Sequence, residues 1–208
     1  DSEETTTTAL SSPTLDTPLR VVASNGIVAD WVSNVGGDRV NVVALVPVGS
    51  DPHTFQPGAR DVTHLANADV IFTIGLGLET SWMTTLIENA SVDTSHIVEL
   101  GSIVNPLLSP DDDDSAFDPH FWMDPLRVKT AVSKITSQLG SQDTIHVSTY
   151  KTNQTSYTQK LEDLHLWSQE QLRDIPVARK VLITSHDNLR YFAQRYRFDV
   201  IGTIIQGT

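Results

Sequence analysis

Short β-branched apolar runs alternate along this chain with stretches of helical period, and that alternation constrains the fold more than any other feature. "LRVVAS" (19–24) and "RVNVVALV" (39–46) read as strands. Between them "GIVADWVSNVGG" reads as a helix, with Ile27, Val28, Trp31, Val32 and Val35 on one face and Gly36-Gly37 as its stop. "ADVIFTIG" (68–75) is a third strand and "HIVEL" (96–100) a fourth; between them "LETSWMTTLIENA" sets Leu78, Trp82 and Leu86 on a helical face, flanked by Met83 and Ile87. A strand-helix-strand rhythm of this kind predicts a parallel sheet with flanking helices, an α/β fold. Ligands of such sheets gather beyond the carboxyl ends of the strands. The loops 47–57 and 101–120 both follow strands, so they can share that edge.

Residues 143–175 behave differently. Tyr150, Tyr157, Leu161, Leu164 and Leu172 keep a helical period, interrupted by Gln154 and Ser168, and no Gly or Pro breaks the run before Pro176. One long amphipathic connecting helix is expected, laid across the back of another element. "KVLITSHDNLRYFAQRYRFDVIGTII" then gives strand, loop, helix and strand again, the opening of a second α/β lobe. An α/β layer ending after two strands leaves an exposed edge, so the expectation is an incomplete second lobe. The domain reading is a disordered tether over 1–19, an N-terminal α/β lobe over 20–142, the linker helix over 143–176 and the start of a C-terminal lobe over 177–208. The tether rests on Ser, Thr, Pro and acidic residues that offer nothing to pack. With no initiator Met and no signal peptide, a mature or engineered start is expected.

Charge and composition narrow the chemistry. A net charge of -12 argues against nucleic acid or anionic membranes as partners. No apolar run approaches the roughly 18 residues needed to cross a bilayer. There is no cysteine, hence no disulfide, no thiolate nucleophile and no cysteine-ligated zinc. A metal site would have to use histidine and carboxylate. No Gly-rich phosphate loop, G-x-S-x-G elbow or H-E-x-x-H helix occurs. Ser185-His186-Asp187 are sequence neighbours, whereas triad members converge from separate elements.

Among the seven histidines, His64 sits on an expected helix, and His96, His146 and His165 have no neighbours arranged as a site. His53, His120 and His186 differ: each follows a strand or a loop leading from one, and each has a nearby carboxylate, Asp51, Asp118 and Asp187. Asp-Pro-His occurs twice, at 51–53 and 118–120, where the proline stiffens the backbone before the ring. Taken singly, each is a hydrogen-bonded loop histidine. Taken together, three imidazoles at strand ends suit Zn²⁺, Mn²⁺ and similar ions, with the aspartates as candidate partners of the rings' second nitrogens. The four aspartates 111–114 ahead of His120 read as a solvated acidic loop that attracts cations weakly.

Three stretches carry a resemblance: "PVGSDPHTFQPGARDVTHLANADVIFTIGLGLE" (47–79), "DPHFWMDPLRV" (118–128) and "ITSHDNLRYFAQRYRFDVIGTI" (183–204). They resemble signature segments of the zinc- and manganese-binding solute-binding proteins of bacterial ABC metal importers, and the likeness runs from about Arg20 to the end. The resemblance implies two α/β lobes joined by a rigid helix, with the metal clamped between them. It puts the first two ligands on His53 and His120 and the third on His186. Manganese-selective members tend to carry Glu at that third position, so His186 tilts the reading to Zn(II), with Mn(II) as the alternative. A fourth ligand, usually Asp, is implied beyond Thr208. In zinc-binding relatives the loop before the second histidine is often long and His-rich; here it is short and has no extra His. The expected partners are a metal ion and a membrane permease, and the expected place is outside the cytoplasm, with membrane contact only through a lipid anchor outside this chain. Two other classes compete: a zinc hydrolase exploiting an open fourth position, and a surface adhesin lipoprotein.

Overall fold

A computed structural model of the chain describes residues 17–109 and 117–204. The tether reading falls almost wholly on residues outside that range, and its last residue, Leu19, already opens the first strand. The aspartates 111–114 also lie outside the described residues.

Strands β1 (Leu19–Ala23), β2 (Val40–Ala44), β3 (Val70–Thr73) and β4 (Ile97–Glu99) form a parallel sheet in the order β2-β1-β3-β4. Each strand is shorter than its apolar run, because the run continues into the turn at the sheet's carboxyl edge. Beyond β3 the chain turns through Gly75, whose φ is 75°. A Cβ there would sit 2.0 Å from the Glu99 side chain, so the turn requires glycine.

Both faces of the sheet are covered, which is why its strands read as near-continuous apolar runs. On one face Val21, Ala23 and Phe72 pack with Val28, Trp31, Val32 and Val35 of helix α1 (Gly26–Gly36). On the other Val22 and Ile71 meet Leu65 of α2 (Ala59–Ala66) and Trp82, Met83 and Leu86 of α3 (Thr80–Ala90). Asn25 caps α1, its side-chain oxygen accepting the N–H groups of Ile27 and Val28.

The sequence reading passes over one helix, α4 (Pro125–Gln142). Its signal is present: Asp124 caps it by accepting the Leu126 N–H, Pro125 opens it, and Val128, Val132, Ile135 and Leu139 recur on one buried face. The long helix is real but starts later than expected, as α5 (Val147–Leu172). Residues 143–146 instead make a tight turn in which the Asp143 carboxylate receives His146 Nδ1–H at 2.8 Å and the Tyr150 hydroxyl at 2.7 Å.

α5 packs against α1 and α4. Asn153 donates to the Val35 carbonyl, Tyr157 to Asp30, and Gln154 to Ser133. The polar interruptions of its stripe are therefore contacts with neighbouring helices. Leu164, expected on the buried stripe, is exposed, as are Leu166 and Trp167. The last buried residue of α5 is His165, which lies against Tyr196.

The second unit holds β5 (Val181–Thr184) and β6 (Asp199–Thr203), paired in parallel around α6 (Arg190–Tyr196). α6 ends at Arg197 in the left-handed conformation. It docks on the first unit. Tyr191 joins that unit's core, and Arg195 grips the buried Asp124 carboxylate at 2.7 and 2.9 Å.

Candidate metal centre

His53 lies on the loop after β2, His120 on the loop after β4 and His186 on the loop after β5. All three sit beyond the carboxyl ends of parallel strands. Their outer ring nitrogens come together: one nitrogen of each lies within 4.8 Å of the other two. His53 Nε2 and His120 Nε2 are 3.4 Å apart. Two nitrogens bound to one tetrahedral zinc, each about 2.0–2.1 Å from it, would be about 3.4 Å apart. The His53–His120 pair therefore has the spacing of two ligands on one small cation. Among the described residues no other cluster of His and carboxylate groups has this geometry.

Each ring is held differently. His120 is buried, and its Nδ1 meets Asp118 Oδ1 at 2.8 Å while its backbone N–H donates to the same oxygen at 2.9 Å. That carboxylate holds the proton on Nδ1 and leaves the Nε2 lone pair facing the other rings. The Trp122 ring stands edge-on beside it, 5.1 Å between centroids.

His53 is held through its backbone. Asp51 accepts the His53 N–H at 2.9 Å rather than touching the ring. From α3, the Trp82 indole N–H donates to the Pro52 carbonyl at 2.8 Å and the Ser81 hydroxyl to the His53 carbonyl at 3.0 Å. Burial, and then the neighbouring His120, lower the His53 pKa; Asp51 opposes this and His186 adds to it. The ring is thereby kept in the neutral, lone-pair form that a metal needs.

His186 is half-buried, with its carbonyl accepting the Asn188 N–H at 2.8 Å and its Nδ1 3.5 Å from the Ser185 hydroxyl. Its sequence neighbour Asp187 faces Arg190, 3.7 Å away. Of the three aspartates singled out in the sequence, Asp118 contacts the ring of its histidine, Asp51 accepts the His53 backbone N–H and Asp187 faces an arginine.

The remaining histidines have structural surroundings. His146 bonds Asp143, His165 lies against Tyr196, His64 sits on α2 and His96 closes the 3-10 turn that leads into β4. Sequence reasoning missed Ser81, Trp82 and Tyr191, which reach the histidine loops from distant positions and carry no local motif. It also missed Glu79, whose buried carboxylate accepts the Ile74 and Gly75 N–H groups at 2.9 Å and shapes the β3–α3 turn. Burial raises the Glu79 pKa against those hydrogen bonds.

Parallel α/β units joined by a long helix, with strand-end loops turned to one point, define the structural class. Comparison with known proteins makes the class specific: residues 21–208 match the family described as "ZnuA: Zinc-uptake complex component A periplasmic", and the chain belongs to that family. The manganese-binding lipoprotein MntA of Halalkalibacterium halodurans is 34% identical over 185 residues, covering 88% of this chain and 60% of that protein. The manganese ABC transporter substrate-binding lipoprotein PsaA of Streptococcus pneumoniae is 33% identical, covering 86% and 59%. The chain thus spans about 60% of the length of the curated relatives it matches. The structure of the periplasmic zinc-binding protein TroA from Treponema pallidum superimposes with a TM-score of 0.81 at 30% identity, over 89% of this chain and 66% of that one. A zinc-bound ZnuA deletion mutant gives a TM-score of 0.81 at 27% identity, over 91% and 71%.

Proposed function

We propose that this chain is the metal-binding receptor of an ABC importer, acting outside the cytoplasm, and that His53, His120 and His186 are its ligands to the transported ion. The observation that carries the reading is the convergence of three imidazole nitrogens within 4.8 Å. The family match and the lipoprotein names of the relatives support the transport role, a permease partner and the extracytoplasmic location. The chain binds and releases a cargo ion and catalyses nothing; none of the relatives named above is described as an enzyme.

Zn²⁺ is the preferred ion on this reading, because three neutral imidazoles are borderline-soft donors whereas Mn²⁺ favours oxygen. A manganese reading rests on the names of the curated relatives. On this reading the lobe over 20–142 supplies two ligands, the segment over 143–176, built around α5, carries the connection, and the unit from 177 supplies the third. Calorimetric titration of Zn²⁺ into the parent chain and His120→Ala tests the site. At least a tenfold loss of affinity is expected, and equal affinities would refute the assignment. Direct competition between Zn²⁺ and Mn²⁺ tests the ion, and a preference for Mn²⁺ would reverse the choice.

A further inference from the structure

We propose that Tyr191, a residue of the second unit, is a positioning residue for His120 in the first, acting through Asp118; this deepens the three-imidazole reading and rests on it. The juxtaposition that carries it is a buried phenol set between the two legs of the loop that delivers His120. Tyr191 is fully buried, and its ring lies in the first unit's core beneath the Arg127 guanidinium, 4.8 Å away. Its hydroxyl donates to the Asp118 carbonyl at 2.6 Å and accepts the Leu107 N–H at 3.0 Å. The Asp118 N–H in turn donates to the Leu107 carbonyl at 2.8 Å. The peptides on either side of the Asp118 α-carbon are therefore both fixed.

That fixation matters because the Asp118 side chain has little else to orient it. Its Oδ1 takes both His120 contacts, while its buried Oδ2 has no hydrogen-bond partner. The direction of the carboxylate, and so of the imidazole, follows from the backbone that Tyr191 holds. Burial pushes the Tyr191 hydroxyl up to about 12, so it remains a donor at any working pH. Arg190 grips the same loop one residue further out, donating to the Leu108 carbonyl at 2.5 Å.

Tyr191 lies five positions after His186 in the sequence. One short segment of the second unit therefore brings in the third ligand and also buttresses the second. Docking of the units and assembly of the ligand set become a single event, and loss of the hydroxyl should loosen a ligand it never touches.

The test compares the 208-residue chain with Tyr191→Phe, Tyr150→Phe and His186→Ala. Phenylalanine keeps the ring and removes only the hydroxyl. Tyr150 is equally buried and bonds Asp143, so its variant reports the cost of losing a buried phenol hydroxyl elsewhere. Three quantities are read: the His120 Nδ1–H proton resonance in metal-free protein, Zn²⁺ affinity, and the visible band of bound Co²⁺. Tyr191→Phe is expected to move the resonance, weaken Zn²⁺ by about tenfold and alter the cobalt band, in the range of partners that orient a ligand. Tyr150→Phe is expected to lower thermal stability and leave all three unchanged. If Tyr191→Phe behaves as Tyr150→Phe does, the positioning role is wrong while the ligand set stands. If His186→Ala binds Zn²⁺ as the parent does, the three-imidazole reading fails and takes the positioning role with it.

Discussion

His53 and His120 meet through nitrogens only 3.4 Å apart, which places a strict demand on protonation. With His120 Nδ1 committed to Asp118, both Nε2 atoms can bind a cation only while neutral. Burial and the adjacent imidazole lower the His53 pKa below the ordinary value near 6.5. The sign follows. In the unfolded chain His53 takes up its proton first, so its contribution to stability is present above about pH 6.5 and is lost as pH falls through the lower, folded value. Metal competes with the same proton, and the share of affinity owed to His53 should persist somewhat below pH 6.5 before declining. Zn²⁺ affinities of the parent and His53→Ala, measured from about pH 7 to pH 5, check this. A parent profile that fails to weaken on acidification would contradict it. At this scale the sequence was informative where chemistry is local. The two Asp-Pro-His tripeptides name their residues outright. The roles of their aspartates were not legible: the same tripeptide gives a ring contact at Asp118, whereas Asp51 accepts the His53 N–H and the Thr54 hydroxyl.

Helix α3 shows how an element can serve a site without contributing a ligand. Its first turn lies against the His53 loop, and Trp82 and Ser81 take up two consecutive carbonyls there. Trp82 also packs edge-on to Phe55, 5.1 Å between centroids, beside a groove of about 680 Å³ on the outer flank of the loop. Trp82→Phe keeps much of the packing and removes the N–H, leaving the Pro52 carbonyl without this donor. A loss of about 1–3 kcal/mol is expected by denaturant unfolding, with a smaller metal affinity if the loop is freed. The turn into α3 depends on Glu79, whose two carboxylate oxygens each accept a backbone N–H. Glu79→Gln presents an amide NH₂ to one of those donors and should also cost about 1–3 kcal/mol. None of this could be read from periodicity, which assigns Trp82 to the buried face and stops there. The Trp82–Pro52 contact spans 30 positions and the Tyr191–Asp118 contact 73. Helix α4, by contrast, was legible and went unread, since its Asp-Pro cap and apolar spacing are both local.

Across the whole molecule, the two units differ in how their sheets are covered. The four-stranded sheet is covered on both faces, whereas β5 and β6 leave Val181, Ile183 and Ile201 exposed. The two units nevertheless meet at a well-made contact, with Tyr191 in the first core and Arg195 on a carboxylate that is 1% exposed. The rhythm of runs and periods predicted both units, and the dimensions of the contact required the structure. One detail of it reaches further. Leu108 and Phe117 form an antiparallel bridge at the foot of the segment between them, and Arg190 and Tyr191 hold that foot from the other unit. The two described ends of this stretch are thus tied to each other and to the second unit, so any displacement of that unit is felt at His120 as well as at His186. Two of the three histidines answer to one movement, and a cargo ion held by all three would feel the parting of the units twice over.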